Sequence, residues 1–432
     1  MESKTNLIIV GNGISGTTLA RHVRKKSNRP ILIISDEHPY FFSRTALMYV
    51  YMGHMKFEHT QPYEDGFWEK NNIQLLQDRV VRFNPEKQII HLENGGFLPY
   101  GDLVWAVGSI PNKPGWPGET AKRVQGLYHK SDLEQLENWT PEIEKAVIVG
   151  GGLIGIELAE MLRSRGKAVC FLVRENSFWN TVLPAAESEM INQHIRDHGI
   201  DLRLNTTLKS ITTDSEGAVS GVVTQDGETL SCQYVGLTVG VRPHIDFLRD
   251  SDLDCGKGIR VNRSLATNIP HVYAIGDCAE QISPLPGRPS VEAVWYTGRM
   301  MGETLAQTLL GQPTNYQPGP WFNSAKFFDI EYQTYGQVSA ESDEKNERQW
   351  FWQHPTKSIL VRWAFRPTNR QLLGVNSMGI RLRHQVLHQW LLEGITVDAA
   401  IDQLDQACFD PELTPQYQDE ISLAFRSKQN MI

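Results

Sequence analysis

Short apolar runs that lead directly into glycine-rich segments recur along this chain. Leu7-Ile8-Ile9-Val10 runs into Gly11-Asn12-Gly13-Ile14-Ser15-Gly16, and Ala146 to Val149 runs into Gly150-Gly151-Gly152-Leu153-Ile154-Gly155. A continuous apolar run of this length is typical of a strand that is buried on both faces of a parallel sheet. Each copy therefore predicts a strand followed by a glycine turn.

The segments after each turn complete the same unit. Helices are predicted from Thr17 to Lys26 and from Ile156 to Arg165, with Gly166 as the C-cap of the second helix. Buried strands are predicted from Ile31 to Ile34 and from Ala168 to Val173. Glycine suits these turns because a side chain would keep the backbone away from a pyrophosphate resting on the helix N-terminal amides. Two glycine turns in this context predict two dinucleotide sites.

The end of the second strand carries the residue that meets the adenosine ribose in such units. In the first copy this residue is Asp36, which lies 25 positions beyond Gly11. In the second copy the position is Val173, followed by Arg174 and Glu175. If this copy binds a nicotinamide dinucleotide, Arg174 predicts that NADPH is accepted, with NADH also used, because a guanidinium can bind the 2′-phosphate. The alternative is that Glu175 folds back to the ribose, or that Arg174 is an ordinary solvated residue.

Composition narrows the class of protein. At 432 residues and 40% hydrophobic content, the chain can bury two or three domain cores. The net charge of -8 argues against general nucleic-acid binding. No apolar run approaches the roughly 18 residues that span a bilayer, and the start lacks the features of a signal peptide. A soluble, cytoplasmic protein without a membrane partner is expected.

The cysteines and histidines point to no metal or disulfide chemistry. The five cysteines form no CxxC or CxxxxC pair; they are Cys170, Cys232, Cys255, Cys278 and Cys408. A disulfide framework or redox dithiol is therefore not expected. The 13 histidines lack HExxH or Cys/His spacing, so no metal site is expected either.

Three further apolar runs end in glycine, and their order carries a resemblance. They are Leu103 to Gly108, Val235 to Gly240, and Val272 to Gly276, which precedes Asp277. With the two glycine turns, residues 5 to 318 resemble the two-dinucleotide flavoprotein reductases of the pyridine nucleotide-disulfide reductase superfamily. The resemblance implies an α/β fold with two Rossmann-like dinucleotide-binding domains and a smaller α+β C-terminal domain. The implied FAD-binding domain comprises residues 1–120 and 251–318, the NAD(P)-binding domain residues 121–250, and the C-terminal interface domain residues 319–432.

The resemblance also implies roles for particular residues. The first turn would bind FAD and the second NAD(P)H, through Gly11, Gly13, Ile14, Ser15 and Gly16 and through Gly150, Gly152 and Gly155. Ser43 to Leu47 resembles an FAD-contacting segment, so Arg44 is expected to contact FAD. Val80 would pack by the adenine, and Asp277 would meet the ribityl chain. Many relatives pair a lysine near the flavin with the glutamate of the second turn; here Glu157 is present, but the lysine position is Tyr49.

The missing CxxxxC motif separates this chain from the dithiol enzymes of the superfamily. The closer resemblance is to the branch of rubredoxin reductases, ferredoxin reductases and the flavin module of nitrite reductases, in which Trp295 to Arg299 would form a flavin-facing helix start. This branch implies an NAD(P)H:acceptor oxidoreductase that passes a hydride from nicotinamide to FAD and electrons to a carrier protein. Hydride transfer between these rings requires no protein nucleophile, so no catalytic side chain is named.

Two other functions stay open. One is a membrane-associated NADH:quinone reductase, although Val291 to Val294 lacks the quinone motif of that family and no basic amphipathic tail is evident. The other is a slow-turnover NADH-sensing protein in which FAD is structural. Steady-state turnover with an artificial dye separates a sensor from a reductase. The sequence also leaves a homodimer open.

The region beyond residue 319 predicts antiparallel strands from Phe327 to Tyr335 and from Ile359 to Phe365, then an amphipathic helix from Leu382 to Leu392. Between residues 348 and 392 this region holds basic residues and no Asp or Glu; they are Arg348, Lys357, Arg362, Arg366, Arg370, Arg381 and Arg383. Such segregation would suit an acidic carrier such as a ferredoxin or rubredoxin. The alternative is that these residues pair with Asp329, Glu331, Asp343 or Glu344.

Overall fold

A computed structural model of the chain describes residues 6–428. The described chain forms two compact units, and each is assembled from three separate segments. Unit 1 comprises residues 6–114, 126–141 and 240–318, and unit 2 comprises residues 115–125, 142–239 and 319–428.

The regular elements are numbered here in chain order. The strands are β1 (Leu7–Val10), β2 (Ile31–Ser35), β3 (Ile73–Gln77), β4 (Val80–Asn84), β5 (Ile89–Leu92), β6 (Phe97–Pro99), β7 (Asp102–Trp105), β8 (Ser109–Pro111), β9 (Val124–Gln125), β10 (Lys145–Val149), β11 (Ala168–Leu172), β12 (Asp201–Arg203), β13 (Leu208–Thr213), β14 (Val219–Thr224), β15 (Thr229–Ser231), β16 (Tyr234–Leu237), β17 (Val241–Pro243), β18 (Ile259–Val261), β19 (Val272–Ala274), β20 (Ala279–Gln281), β21 (Phe322–Phe327), β22 (Ile330–Gly336), β23 (Arg348–Gln353), β24 (Leu360–Phe365) and β25 (Leu372–Met378). The helices are α1 (Ile14–Arg24), α2 (Leu47–Tyr51), α3 (Phe67–Lys70), α4 (Lys130–Trp139), α5 (Leu153–Ser164), α6 (Ala185–Asp197), α7 (Trp295–Leu309), α8 (His384–Glu393), α9 (Val397–Asp402), α10 (Leu404–Ala407) and α11 (Gln418–Lys428).

The main sheet of unit 1 is parallel and has the strand order β19-β7-β1-β2-β3. All four residues of β1 are buried, as its apolar sequence predicts. From β1 the chain moves outward to β2 and β3 and then returns to β7 on the other side of β1. In open parallel sheets, ligands bind at the carboxyl ends of the strands where the order reverses in this way.

Helix α1 packs closely against α7, which starts at Trp295 as the sequence predicts. A Cβ atom on Gly302 would lie 2.6 Å from the backbone oxygen of Ser15. The absence of a side chain at Gly302 therefore allows the two helix backbones to approach each other.

Unit 2 repeats the parallel arrangement, with the strand order β12-β11-β10-β16-β9. An antiparallel sheet of β13, β14 and β15 lies beside it and shares a buried core with it. The C-terminal part of unit 2 is an antiparallel sheet with the order β21-β22-β25-β24-β23. Helices α8 to α11 contribute apolar side chains to the core of this sheet.

The glycine turns extend the helices further than the apolar pattern suggests. Helix α1 begins at Ile14 rather than Thr17, and α5 begins at Leu153 rather than Ile156, because the third glycine of each motif lies within the first helical turn. Helix α5 ends at Ser164, and Gly166 follows with the left-handed backbone (φ +72°) of a C-terminal cap. The alternating segment from Phe327 to Tyr335 spans the end of β21, a two-residue turn and most of β22.

Within residues 6–428, none of the helices has both the length and the apolar character needed to cross a membrane.

Candidate nucleotide-binding sites

The three glycines of the first turn occupy different environments. Gly11 has φ +111°, and a Cβ atom on it would lie 2.1 Å from the Ala106 carbonyl oxygen. A Cβ atom on Gly16 would lie 2.1 Å from the Gly11 carbonyl oxygen. A Cβ atom on Gly13, by contrast, would have no protein atom within 4 Å. The outer glycines are therefore required by packing, whereas the middle glycine leaves space above the turn.

That space lies at the N-terminus of α1. Gly13 is the N-cap of this helix, no side chain caps its amides, and its first turn carries no acidic residue. An uncapped helix N-terminus attracts an anion through its amides and the helix dipole. Ile14 is partly buried beside the turn, and Ser15 is buried. The Ser15 hydroxyl is so close to Gly276 and Gly298 that a Cβ atom on either would lie within 2.6 Å of it.

Asp36 follows β2 directly and forms an ion pair with Arg79, whose Nε lies 2.9 Å from the carboxylate. Val80, the first residue of β4, is buried and belongs to the core of unit 1. The predicted ribose and adenine contacts thus lie at the ends of neighbouring segments of unit 1, and an exposed arginine already neutralises Asp36.

Arg44 lies among groups that come from distant parts of the chain. Its guanidinium donates to both carboxylate oxygens of Glu37 and to the Tyr128 carbonyl oxygen. It also lies over the Tyr128 ring, with Cζ 4.4 Å from the ring centroid. Burial alone would raise the pKa of Glu37, but hydrogen bonds from His129 and Arg44 hold that pKa well below its ordinary value. Arg44 is therefore charged and held in one position.

Asp277 follows Gly276, which has φ +73°, at the end of the strand segment that contains β19. The Ser109 hydroxyl donates a hydrogen bond of 2.9 Å to the Asp277 carboxylate. Burial raises the pKa of Asp277, while Ser109 and the charge of Arg44 oppose that rise. The carboxyl is thus placed at the carboxyl end of the strand next to β7.

The second turn has the same geometry as the first. Gly150 has φ +120°, and a Cβ atom on it would lie 2.4 Å from the Thr238 carbonyl oxygen. A Cβ atom on Gly155 would lie 2.4 Å from the Gly150 carbonyl oxygen. Gly152, the N-cap of α5, would have no protein atom within 4 Å of a Cβ atom, and α5 also lacks a side-chain cap and an acidic first turn. Unit 2 thus carries a second open helix N-terminus.

Glu157 lies on α5, two residues beyond the turn. Burial, with a smaller contribution from Glu160, raises the pKa of Glu157 to about 7. A carboxyl with such a pKa exchanges a proton near neutral pH, a property common at functional sites. The residue at the family's lysine position, Tyr49, lies on α2 and stacks on His54.

Arg174 lies two residues beyond the end of β11 and is 78% exposed. Its guanidinium pairs with the adjacent Glu175 at 2.8 Å. Val173, between the strand and Arg174, is fully buried. Arg174, which would favour a 2′-phosphate, and Glu175, which would favour a free 2′-hydroxyl, are therefore paired with each other.

All five cysteines are free thiols. Cys278 is fully buried next to Asp277, and burial raises its pKa to about 12. A thiol with this pKa is not a thiolate at neutral pH.

Three residues of the first site were not predicted from the sequence: Glu37, Ser109 and Tyr128. Glu37 directly follows the predicted ribose acid, and its position beside Asp36 was a usable signal. Tyr128 is 84 positions from Arg44, and Ser109 is 168 positions from Asp277, so no local pattern connects either pair.

Two parallel sheets, each with an open helix N-terminus at its strand reversal, define a protein that binds two dinucleotides. A family model described as pyridine nucleotide-disulphide oxidoreductase matches residues 5–302. The chain belongs to this family. It is an oxidoreductase whose cofactors are FAD and NAD(P)H.

Relatives agree with this family, and a solved structure shares the fold. The chain is 30% identical over 341 residues to the 5,5'-dehydrodivanillate O-demethylase ferredoxin reductase subunit of a Sphingobium species, covering 78% of this chain and 82% of the relative. It is 29% identical over 320 residues to a rubredoxin-NAD(+) reductase of Acinetobacter baylyi, covering 72% and 79%. The ferredoxin reductase of Rhodopseudomonas palustris has the same fold, with a TM-score of 0.80 at 24% identity over 87% of this chain and 91% of that one.

Proposed function

We propose that FAD lies on the first glycine turn, NAD(P)H lies on the second, and electrons leave the flavin for a carrier protein of the ferredoxin or rubredoxin class. The observation that carries the two-site assignment is the open space at Gly13 and Gly152, where only the middle glycine of each turn is free of protein neighbours. A pyrophosphate fits there because the backbone amides and the helix dipole remain available to it.

The residues of unit 1 have distinct roles in this proposal. Asp36 accepts hydrogen bonds from the adenosine ribose of FAD once Arg79 releases it, and Val80 packs against the adenine. Arg44, held by Glu37 and Tyr128, supplies a fixed positive charge near the cofactor phosphates. Asp277, oriented by Ser109, binds the ribityl hydroxyls. FAD supplies the chemistry when bound, because it accepts a hydride from nicotinamide and releases electrons to the acceptor.

The state of the cysteines supports an external electron acceptor. A dithiol enzyme needs two neighbouring cysteines beside the flavin, whereas the five cysteines here form no CxxxxC or CxxC pair and Cys278, next to Asp277, is a fully buried thiol. Two of its relatives, a ferredoxin reductase subunit and a rubredoxin reductase, favour a protein carrier.

An acidic carrier is the finer part of the proposal, and the contacts of the basic residues narrow where it would dock. Three of the arginines between residues 348 and 392 already have acidic partners: Arg362 pairs with Glu187, Arg370 with Asp398, and Arg381 with Glu331. Arg366 is exposed and follows β24 directly. We therefore assign the steering role to Arg366 rather than to the paired arginines.

Salt dependence and charge reversal test this docking. Reduction of an acidic ferredoxin should slow as salt rises, because exposed charges are screened. Arg366→Glu should slow carrier reduction further and leave dye reduction unchanged. Arg381→Glu is the matched control, since it makes the same change in net charge near the opposite end of the β24–β25 strand pair. Equal effects of the two variants would contradict steering by Arg366.

Nicotinamide preference rests on the Arg174–Glu175 pair. Arg174→Ala should remove a hydrogen bond to the charged 2′-phosphate of NADPH, which contributes about 1.5 to 3 kcal/mol. The value of kcat/KM should therefore fall more for NADPH than for NADH. Glu175→Gln should act in the opposite direction, because it frees the guanidinium and removes a carboxylate that repels the 2′-phosphate. Equal changes for both nucleotides in either variant would show that this pair does not read the ribose substituent.

A two-step kinetic experiment tests the function itself. The FAD-loaded protein is reduced in a stopped-flow instrument with NADH or NADPH and then mixed with ferredoxin, rubredoxin, a quinone, a disulfide or oxygen. The proposal expects fast flavin reduction and fast reoxidation by a carrier protein only. Fast reoxidation by quinone, or negligible turnover with every oxidant, would favour the quinone reductase or the sensor instead.

A further inference from the structure

Unit 2 brings together three metal-ligand side chains from two distant segments. His194 lies on α6, and His198 follows the last residue of that helix. Asp329 lies in the two-residue turn between β21 and β22. The ligand atoms of the three side chains all lie within 4.8 Å of one another. His194 Nε2 is 2.6 Å and His198 Nε2 is 3.8 Å from the same oxygen of Asp329. Two imidazoles therefore converge on one carboxylate.

The hydrogen bonding of His198 defines which nitrogen faces this cluster. His198 Nδ1 lies 2.8 Å from the His194 carbonyl oxygen. A carbonyl oxygen only accepts, so Nδ1 carries the proton in the neutral ring and Nε2 keeps its lone pair. That lone pair faces the Asp329 carboxylate, which is also an acceptor. Without a metal, His194 Nε2 donates its hydrogen bond to Asp329. Either a second proton on His198 or a metal cation between the groups satisfies the facing acceptors, and imidazoles at metal sites commonly donate their other nitrogen to a carbonyl in this way.

The aromatic residue of the turn fixes the positions of the ligands. Phe328 is buried and stacks on His198, with ring centroids 4.1 Å apart and planes 19° apart. It has φ +57°, a left-handed conformation that a bulky residue adopts only when its surroundings compensate the strain. The turn therefore places Asp329 against α6 while the carboxylate stays 79% exposed and able to adjust.

We propose that His194, His198 and Asp329 bind a divalent transition cation of the Zn²⁺ class, with a water molecule at the fourth position. Zinc prefers imidazole nitrogen and carboxylate oxygen at about 2.0 to 2.2 Å in a tetrahedral arrangement, which separates ligand atoms by about 3.3 to 3.5 Å. The His194–Asp329 separation must widen by about 0.8 Å and the His198–Asp329 separation must shorten by about 0.4 Å to reach this range. The carboxylate is the exposed member of the cluster and has room to turn, and the two imidazole nitrogens, which lie within 4.8 Å of each other, must approach to the same range.

Such a site would fasten the β21–β22 hairpin to α6. The site shares no residue with the two glycine turns and does not depend on the proposed electron transfer.

Direct metal binding tests the proposal with the full-length, FAD-loaded protein. The protein is treated with a chelator and desalted, and Zn²⁺ is then titrated in competition with a chromophoric indicator. One Zn²⁺ should bind per chain, and Co²⁺ should give the intense absorption bands of a tetrahedral site. Asp329→Asn and His198→Ala should each weaken Zn²⁺ binding by more than about tenfold.

The controls separate this cluster from adventitious binding. Asp250→Asn and His54→Ala change exposed residues outside the cluster and should leave Zn²⁺ affinity unaltered. Zn²⁺ should raise the thermal midpoint of the wild-type protein but not that of Asp329→Asn, whose side chain has the same shape. Absence of stoichiometric binding in the wild type, or equal affinity in the wild type and both cluster variants, would overturn the proposal.

Discussion

Replacing Gly152 by alanine isolates the contribution of the second glycine turn to nucleotide binding. The new methyl group would meet no protein atom within 4 Å, and Gly152 already has an extended backbone (φ −114°) that alanine adopts freely. Alanine at the N-cap lowers the free energy of unfolding by up to about 1 kcal/mol relative to glycine. The lower entropy of the unfolded alanine chain raises it by about 0.4 to 1 kcal/mol. The free energy of unfolding should therefore change by less than about 1 kcal/mol.

Nucleotide binding should respond quite differently. The methyl group would occupy the space that we assign to the pyrophosphate, so at least one amide hydrogen bond to a charged oxygen is lost. Such a bond contributes about 1.5 to 3 kcal/mol, which corresponds to a decrease in kcat/KM of about 10- to 150-fold. NADH and NADPH share the pyrophosphate, so both should be affected equally.

Gly155→Ala is the matched comparison because its methyl group would collide with the turn itself. The new carbon would lie 2.4 Å from the Gly150 carbonyl oxygen and 2.8 Å from Thr238 Oγ1, distances that real Cβ atoms essentially never show. Overpacking of this kind costs about 1 to 3 kcal/mol or more, so this variant should unfold at lower temperature or fail to fold.

Dye reduction at varied NADH and NADPH concentrations, FAD content and thermal unfolding of each variant provide the measurements. Gly152→Ala should retain FAD and its thermal midpoint while losing nucleotide affinity. A Gly152→Ala protein with unchanged kcat/KM for both nucleotides would refute the assignment of the pyrophosphate to this turn.

Three further predictions follow from the same contacts. Gly13→Ala should fold but lose FAD, measured as flavin released on desalting, whereas Gly16→Ala should not fold, because its methyl group would lie 2.1 Å from a backbone oxygen. Glu187→Gln should lower the free energy of unfolding in urea by about 3 to 5 kcal/mol, because it leaves the buried Arg362 guanidinium without its counter-charge; a loss below about 1 kcal/mol would contradict this. Glu157, with its pKa raised from 4.5 to about 7, keeps a proton in the folded state that the unfolded chain releases, so its contribution to stability falls as pH rises from about 4.5 to 7. Glu157→Gln should flatten the stability profile within that window, and an unaltered profile would count against the raised pKa.

The parts of the fold that sequence could predict are those with local causes. The strand, glycine turn and helix of each nucleotide unit depend on neighbouring residues, and the structure has them within a few positions of the predicted bounds. The contacts of Arg362 could not be predicted in this way. Its partner Glu187 lies 175 positions away, and nothing near either residue indicates the pairing.

The same distinction between local causes and contacts of distant segments applies to the candidate sites. The glycines and Asp36 follow from the motif, but the groups that hold Arg44 and Asp277 come from other segments of unit 1. The histidine cluster is an intermediate case. The four-residue spacing of His194 and His198 was visible in the sequence but matched neither of the metal-ligand patterns on which the expectation of no metal site rested, and Asp329 joins the two histidines only through the β21–β22 turn.

The assembly of unit 1 from three segments constrains how the chain is made. Strand β19, which borders β7 in the main sheet, begins 167 positions after β7 ends. At a synthesis rate of about 5 to 20 residues per second, this edge of β7 stays unpaired for about 8 to 33 s before β19 is made. An unpaired apolar edge is a template for aggregation. Expression of residues 1–114 alone should therefore yield insoluble protein, and slowed translation between β7 and β19 should lower the yield of the intact chain.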